Sequence, residues 1–209
     1  MTKQKQRERE VSNMELDDHK EITPGIPREN LLALSVGSAL TYLIFAWLIF
    51  HFIHGTGLQT AFEHGYSVTN QLLIGLVSGG AGAAVISFLM NRPPVSDVLS
   101  DYYIVRVISN SRFTIFDRLH LSLFAGTGEE LLFRGAIQPL LGIWITSLLF
   151  VGIHGYFKFQ KTGHYLFGLM MFGLSMLLGY LFEYAGLLAA MMGHAVYDLI
   201  MLQLVARKE

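Results

Sequence analysis

Between residues 124 and 141 the sequence reads FAGTGEELLFRGAIQPLL, so Glu129, Glu130 and Arg134 sit inside a run that is otherwise apolar and long enough to enter a bilayer. Each ionised side chain at the centre of a membrane helix costs on the order of 2.5–3.5 kcal/mol on insertion scales. Three of them rule out a helix that faces lipid. They are tolerable only where they face a protein interior or a water-filled cavity and pair with one another. The chain must therefore build several helices around this stretch. If the stretch is helical, Glu130 and Arg134 share a face and can form an ion pair. Glu129 is turned about 100° away from Glu130, which leaves it free for another task.

The rest of the composition agrees with a membrane setting. Of 209 residues, 52% are hydrophobic and 15% charged, against about 25% charged in soluble domains. The net charge of −1 comes without a basic patch, which argues against a nucleic-acid partner. With no cysteine there are no disulfides, thiolate metal ligands, cysteine nucleophiles or S-acylation. The first apolar run follows a long charged stretch and exceeds the core of a signal peptide, so it reads as a true span.

Residues 1–30 are polar and mixed in charge, and read as a cytoplasmic tail. Residues 31–209 read as a single membrane domain. Spans are expected at 31–53, 71–90, 120–139, 140–156, 165–182 and 185–205, the third and fourth joined by a very short turn. In the second, Gly75, Gly79 and Ala83 form a stripe of small residues suited to close helix packing. Asn91-Arg92-Pro93-Pro94 ends that helix, and residues 95–118 are too polar to span and read as an interfacial segment. The expected fold is all-α: a polytopic helical bundle of about six transmembrane helices plus that segment. With both termini inside, 14 of the 15 Lys and Arg residues fall on the cytoplasmic side and the remaining one, Arg134, is intramembrane, as the positive-inside rule asks. This predicts a multi-pass protein of the cytoplasmic membrane with cytoplasmic N- and C-termini.

Three more ionisable residues fall inside expected spans: His154, His194 and Asp198. His194 and Asp198 are four apart and share a helical face. Glu129 is roughly 13 Å deep at 1.5 Å per residue, and the others lie at comparable depth. Two carboxylates and two imidazoles from three helices make a polar cluster able to activate water. Each residue also has a plainer reading. A single buried histidine can be a hydrogen-bonded packing residue, Glu130 with Arg134 an ion pair that fixes helix position, and Asp198 a group that only orients His194. An interior that needs only packing has no use for six such groups. His51, His54, His64, His120 and His164 lie near span ends or in loops and receive no functional assignment.

Glu129-Glu130-x-x-x-Arg134, then Phe150-x-x-x-His154, then His194-x-x-x-Asp198 resembles the three-motif signature of the CAAX-protease and bacteriocin-processing family, also called Abi or CPBP. The resemblance covers about residues 119–204. It implies that Glu129 and His154 activate a water for peptide hydrolysis, that His194 and Asp198 lie on the oxyanion side, and that Glu130 and Arg134 support the site. The family was long described as metalloproteases, and a glutamate-dependent mechanism without an obligatory metal is now favoured. This chain departs from the pattern at position 198, where the prenyl-protein proteases carry Asn. An ionised carboxylate cannot donate to an oxyanion and repels it. Asp198 is then protonated, or it orients and charges His194, or it joins Glu129, His154 and His194 around a metal such as Zn²⁺.

The residues and the resemblance together predict an intramembrane endopeptidase, with a membrane-proximal peptide or protein as substrate and the lipid bilayer as its other partner. No cofactor is required on this reading, with Zn²⁺ as the alternative. There is no H-E-x-x-H zinc motif, no G-x-S-x-G nucleophile motif, and no second motif to complete an aspartyl pair. Two other classes stay open at this point: a non-catalytic membrane adaptor or immunity protein of the same fold, and a proton-coupled transporter.

Overall fold

The computed structural model of the protein describes residues 25–206. Most of the expected polar tail and the basic end at Arg207 and Lys208 lie outside the described residues. Among the described residues every regular element is helical, as the apolar runs require when backbone groups must be satisfied without water. The elements are α1 (Arg28–Ile49), α2 (Val68–Met90), α3 (Tyr103–Ser109), α4 (Ile115–Glu130), α5 (Gln138–Ile153), α6 (Thr162–Ala185) and α7 (Leu187–Ala206). A π turn at Phe50–His54 extends α1, and a longer π segment, Leu131–Ile137, joins α4 to α5. Large apolar side chains such as Phe52, Val77, Trp144 and Leu169 face outwards, while the buried interior holds Glu130, Arg134 and Gln138. A surface of that kind is built for lipid.

Among the described residues, five helical segments are long and apolar enough to cross a membrane. One of them, Ile115–Ile153, runs for 39 residues and doubles back at Gly142, where φ is 73° and ψ 169°. Such a backbone belongs to glycine. The reversal brings Phe133 and Phe150 together with ring centroids 5.0 Å apart. The segment is therefore a helical hairpin, and the helical legs number six. The turn sits at Gly142 rather than between residues 139 and 140. The return leg, about 18 Å long at 1.5 Å per residue, is shorter than a full crossing and carries His154 only as far as Glu129.

Helix starts also differ from expectation, for a local reason. α4 begins at Ile115, inside the segment read as interfacial, because Thr114 and Asp117 form a capping box. The Thr114 hydroxyl accepts from the Asp117 amide at 3.2 Å, and the Asp117 carboxylate takes the Thr114 amide at 2.8 Å. α1 begins at Arg28, and the Ile26 amide before it donates to Ser111 Oγ at 2.8 Å, so the last residues assigned to the tail are docked.

α7 is the central helix, packed against α2, α4 and α6. The stripe of small residues on α2 is where it meets α7: a Cβ on Gly79 would collide with the Gly193 carbonyl, one residue before His194. Gly186 (φ 117°) breaks the chain between α6 and α7, and Gln71 of α2 caps the new start by accepting from the Leu188 amide at 3.0 Å. The order of packing thus fixes His194 against the helix that carries the glutamates.

Candidate active site

α4 delivers Glu129 and Glu130 as its last two residues. Two glycines let its neighbours close in just before them. A Cβ on Gly126 would lie 2.9 Å from the Ala195 amide nitrogen on α7, and one on Gly128 would lie 3.2 Å from Ala39 Cα on α1. The π segment follows directly. Short π segments of this kind are often found at functional sites, and here His54 Nε2 donates to the Ala136 carbonyl at 2.8 Å.

Within this frame Arg134 is completely buried and bonds to protein through two of its three side-chain nitrogens, while its buried Nη1 has no hydrogen-bond partner among the described residues. Its Nε donates to Glu130 Oε2 at 3.0 Å and its Nη2 to Ser175 Oγ at 2.8 Å. The guanidinium also lies over the Phe150 ring, 5.4 Å from the centroid. Glu130, likewise at 0% exposure, uses its other oxygen at 2.8 Å from His194 Nδ1. One carboxylate therefore ties the π segment to α7. A buried charge pair survives only with geometry of this quality, because each ion loses several kcal/mol of hydration.

Glu129 has looser company. Its Oε2 lies 3.5 Å from His154 Nε2 and 3.9 Å from His194 Nε2, and the Tyr42 ring of α1 packs beside the preceding Gly128. His154 Nδ1 stands 2.7 Å from the Phe150 carbonyl. A carbonyl only accepts, so Nδ1 carries the proton, and a neutral His154 turns the lone pair of Nε2 towards Glu129. Phe150 and Tyr156 stack on the two sides of that imidazole, at 4.3 and 5.8 Å between centroids. Asp198 Oδ2 lies 3.5 Å from His194 Nε2, and Asp198 is the most open of these acids, its side chain 28% exposed.

All six side chains singled out in the sequence thus lie in one connected cluster, from α4, the π segment, the end of α5, and α7. Glu129 and His154 lie 3.5 Å apart, close enough for both to reach one small polar molecule placed beside the pair. Glu129, His154 and His194 do not form a ready ligand set: among the described residues no three His, Cys, Asp or Glu side chains are arranged to hold a metal ion. The histidines without a functional assignment make structural ties. His64 donates to the Phe182 carbonyl at 2.9 Å, His120 pairs with Ser35 at 3.0 Å, and His164 with Asp101 at 2.9 Å.

Two contributors escaped the sequence reading. Ser175 is a hydroxyl in an apolar helix, which can always bond to its own backbone and so gives no signal. Tyr42 lies in the first span, outside every motif, and only its packing at Gly128, next to Glu129, marks it.

Residues 111–200 match the family model described as type II CAAX prenyl endopeptidase Rce1-like. A similar curated protein is the uncharacterized protein YpbD of Bacillus subtilis (strain 168), 34% identical over 83 residues, which is 39% of this chain and 42% of that protein. The chain thus spans less than half the length of this relative in the alignment. No solved structure matches it.

Proposed function

We propose that this chain, a member of the Rce1-like family through residues 111–200, is an intramembrane endopeptidase in which Glu129 and His154 activate a water. The observation that carries the reading is the pairing of Glu129 Oε2 with His154 Nε2 at 3.5 Å, with Nδ1 of the same ring held by the Phe150 carbonyl. A water between them donates one proton to the carboxylate and one to the imidazole, and presents its oxygen lone pairs to a peptide carbonyl. As the water attacks, Glu129 takes its proton, and the tetrahedral oxyanion develops beside His194 Nε2–H. Glu129 then returns the proton to the leaving amine. The Glu130 hydrogen bond fixes the other nitrogen of His194 as the ring's anchor. Asp198, at 3.5 Å from His194 Nε2, acts as an anion that keeps a proton on that nitrogen. In this reading the catalytic residues are Glu129, His154 and His194, and Glu130, Arg134 and Asp198 position them.

No cofactor enters this mechanism. The substrate is a peptide or protein segment held near the membrane, and nothing in the residues selects a prenylated one. The distribution of Lys and Arg supports a multi-pass protein of the cytoplasmic membrane with both termini inside. The test is cleavage of membrane-proximal peptides by purified wild type and Glu129→Gln, with and without a strong chelator. The expected result is loss of cleavage in the variant, with its fold intact, and no effect of the chelator. Inhibition by chelator that Zn²⁺ reverses would move the same cluster into metalloprotease chemistry. Full cleavage by Glu129→Gln would place the reaction elsewhere.

A further inference from the structure

We propose that the seam between α6 and the two legs of the Ile115–Ile153 hairpin is a buried water site, where ordered water links Arg134 Nη1 to the side-chain oxygens of Gln138, Thr146 and Ser147. The placement follows from contacts at both ends of the seam. At one end Arg134 donates to Ser175 Oγ of α6 at 2.8 Å and lies over Phe150 of the return leg, 5.4 Å from the ring centroid. At the other end Gln138 Nε2 donates to the Gly179 carbonyl at 3.1 Å, and a Cβ on Gly179 would meet Ile143 Cγ2 at 2.8 Å and Gln138 Oε1 at 3.0 Å. Gln138 follows Arg134 by one helical turn, as Gly179 follows Ser175. On the return leg Ile143 and Phe150 mark one face, two turns apart. Thr146 and Ser147 fall between them on that same face.

Four polar atoms on this seam are unpartnered. Arg134 Nη1, Gln138 Oε1, Thr146 Oγ1 and Ser147 Oγ are buried and have no hydrogen bond among the described residues. Arg134, Thr146 and Ser147 are 0% exposed and Gln138 3%. Hydroxyls elsewhere in the chain bond their own helix, Thr41 to the Gly37 carbonyl at 2.8 Å and Ser111 to the Val107 carbonyl at 2.7 Å. These two do not. Unpaired polar groups are costly in an interior, and most of all inside a bilayer. The four are chemically complementary, because Nη1 only donates, the Gln138 oxygen only accepts, and a hydroxyl does either. No two of them bond directly, which is the separation that a bridging water spans. A water that accepts from Nη1 and donates to Gln138 Oε1 and one hydroxyl has three polar partners, the usual number for a buried one. Ions fit less well: the guanidinium repels a cation, and the Gln138 oxygen repels an anion. Phe150 also stacks on His154, centroids 4.3 Å apart, so its ring stands between this seam and Glu129. The site is structural. It completes the hydrogen bonding of Arg134, and so its hold on Glu130, whether or not the bundle cleaves peptides.

The test is thermal unfolding of the full chain in detergent with Thr146→Val and with Ser147→Ala, together with a structure at a resolution that shows ordered water. Each substitution removes a hydroxyl with little change of shape. Where the hydroxyl bonds a water, its loss leaves that water short of a partner, and Tm is expected to fall by about 2–4 °C. Where the hydroxyl has no partner, its loss removes a burden and Tm rises. A fall in one variant alone assigns the water to that hydroxyl. The structure is expected to show water within about 3.2 Å of Arg134 Nη1 and of Gln138 Oε1. A Tm that rises or stays unchanged in both variants would overturn the proposal. So would a direct bond from Nη1 to Gln138, Thr146 or Ser147, or a seam that is dry in the structure.

Discussion

The two halves of the polar cluster are built to different standards. On one side, Glu130 and Arg134 are sealed from solvent, and their contacts with each other, with His194 and with Ser175 all fall between 2.8 and 3.0 Å. On the other, the carboxylates of Glu129 and Asp198 approach His154 and His194 at 3.5 to 3.9 Å, and His154 and Asp198 keep about a quarter of their side chains open. The sealed half has spent most of its hydrogen-bonding capacity on protein, with Arg134 Nη1 left unpartnered among the described residues. The open half has capacity left for something that is not protein. On the proposed mechanism adjacent residues on one helix have opposite roles: Glu130 holds the bundle together, and Glu129 serves the substrate and water.

The sharpest way to break this comparison is through stability. Glu130→Leu and Arg134→Met each strand a buried charge, and each is expected to destabilise the protein by about 3–5 kcal/mol. The combination Glu130→Leu with Arg134→Met leaves no unpaired ion and is expected to regain much of that loss. Glu129→Gln, by contrast, removes a loosely partnered charge and is expected to leave Tm close to wild type while cleavage falls by about 10²-fold or more. Thermal unfolding in detergent of the four variants reads the contrast directly. Equal destabilisation by Glu129→Gln and Glu130→Leu would mean that the two glutamates share one structural job.

A smaller effect is expected at Asp198. If its carboxylate acts through His194, Asp198→Asn exchanges a charged acceptor for a neutral amide, and kcat is expected to fall about ten-fold with KM unchanged. A rise in kcat would mean that an amide at this place donates to the oxyanion itself, as the CAAX-protease pattern with Asn implies. Steady-state kinetics on one peptide separates the two.

Local periodicity made several of these features legible in the sequence. The spacing of Glu130 and Arg134, and of His194 and Asp198, fixes which side chains share a face, and the structure keeps both pairs together at 3.0 and 3.5 Å. The cost of charge in lipid placed all six groups indoors before any coordinates. What periodicity could not supply is contact between distant segments. The pairing of Glu129 with His154 depends on the reversal at Gly142, and one glycine among the 21 in the chain does not announce itself. The π segment at Leu131–Ile137 adds a residue per turn without a compositional mark. Tyr42 lies in the first span outside every motif, and it packs beside the glutamates only because Gly128 lets α1 close against α4.

The smallest effect tests how far the site depends on what lies beside it. The chain after His154 is anchored to the segment before α3. Lys158 Nζ donates to the Asp101 carbonyl at 2.7 Å, and the Asp101 carboxylate receives His164 Nε2 at 2.9 Å and Lys161 Nζ at 3.4 Å. Burial pushes the Asp101 carboxyl up, but the His164 hydrogen bond and the Lys161 charge outweigh it and hold the group below the usual carboxylate range. A carboxyl lowered in the folded state contributes stability that is fully present above its unfolded value and is lost as pH falls through the folded one. Wild type is therefore expected to exceed Asp101→Asn in Tm by a constant margin at neutral pH that closes only below about pH 4. His164 Nδ1 accepts from the Lys161 amide at 3.2 Å, so Nε2 carries the proton even in the neutral ring. A margin that persists unchanged well below about pH 4 would mean that the Asp101 carboxylate does not hold the anchor.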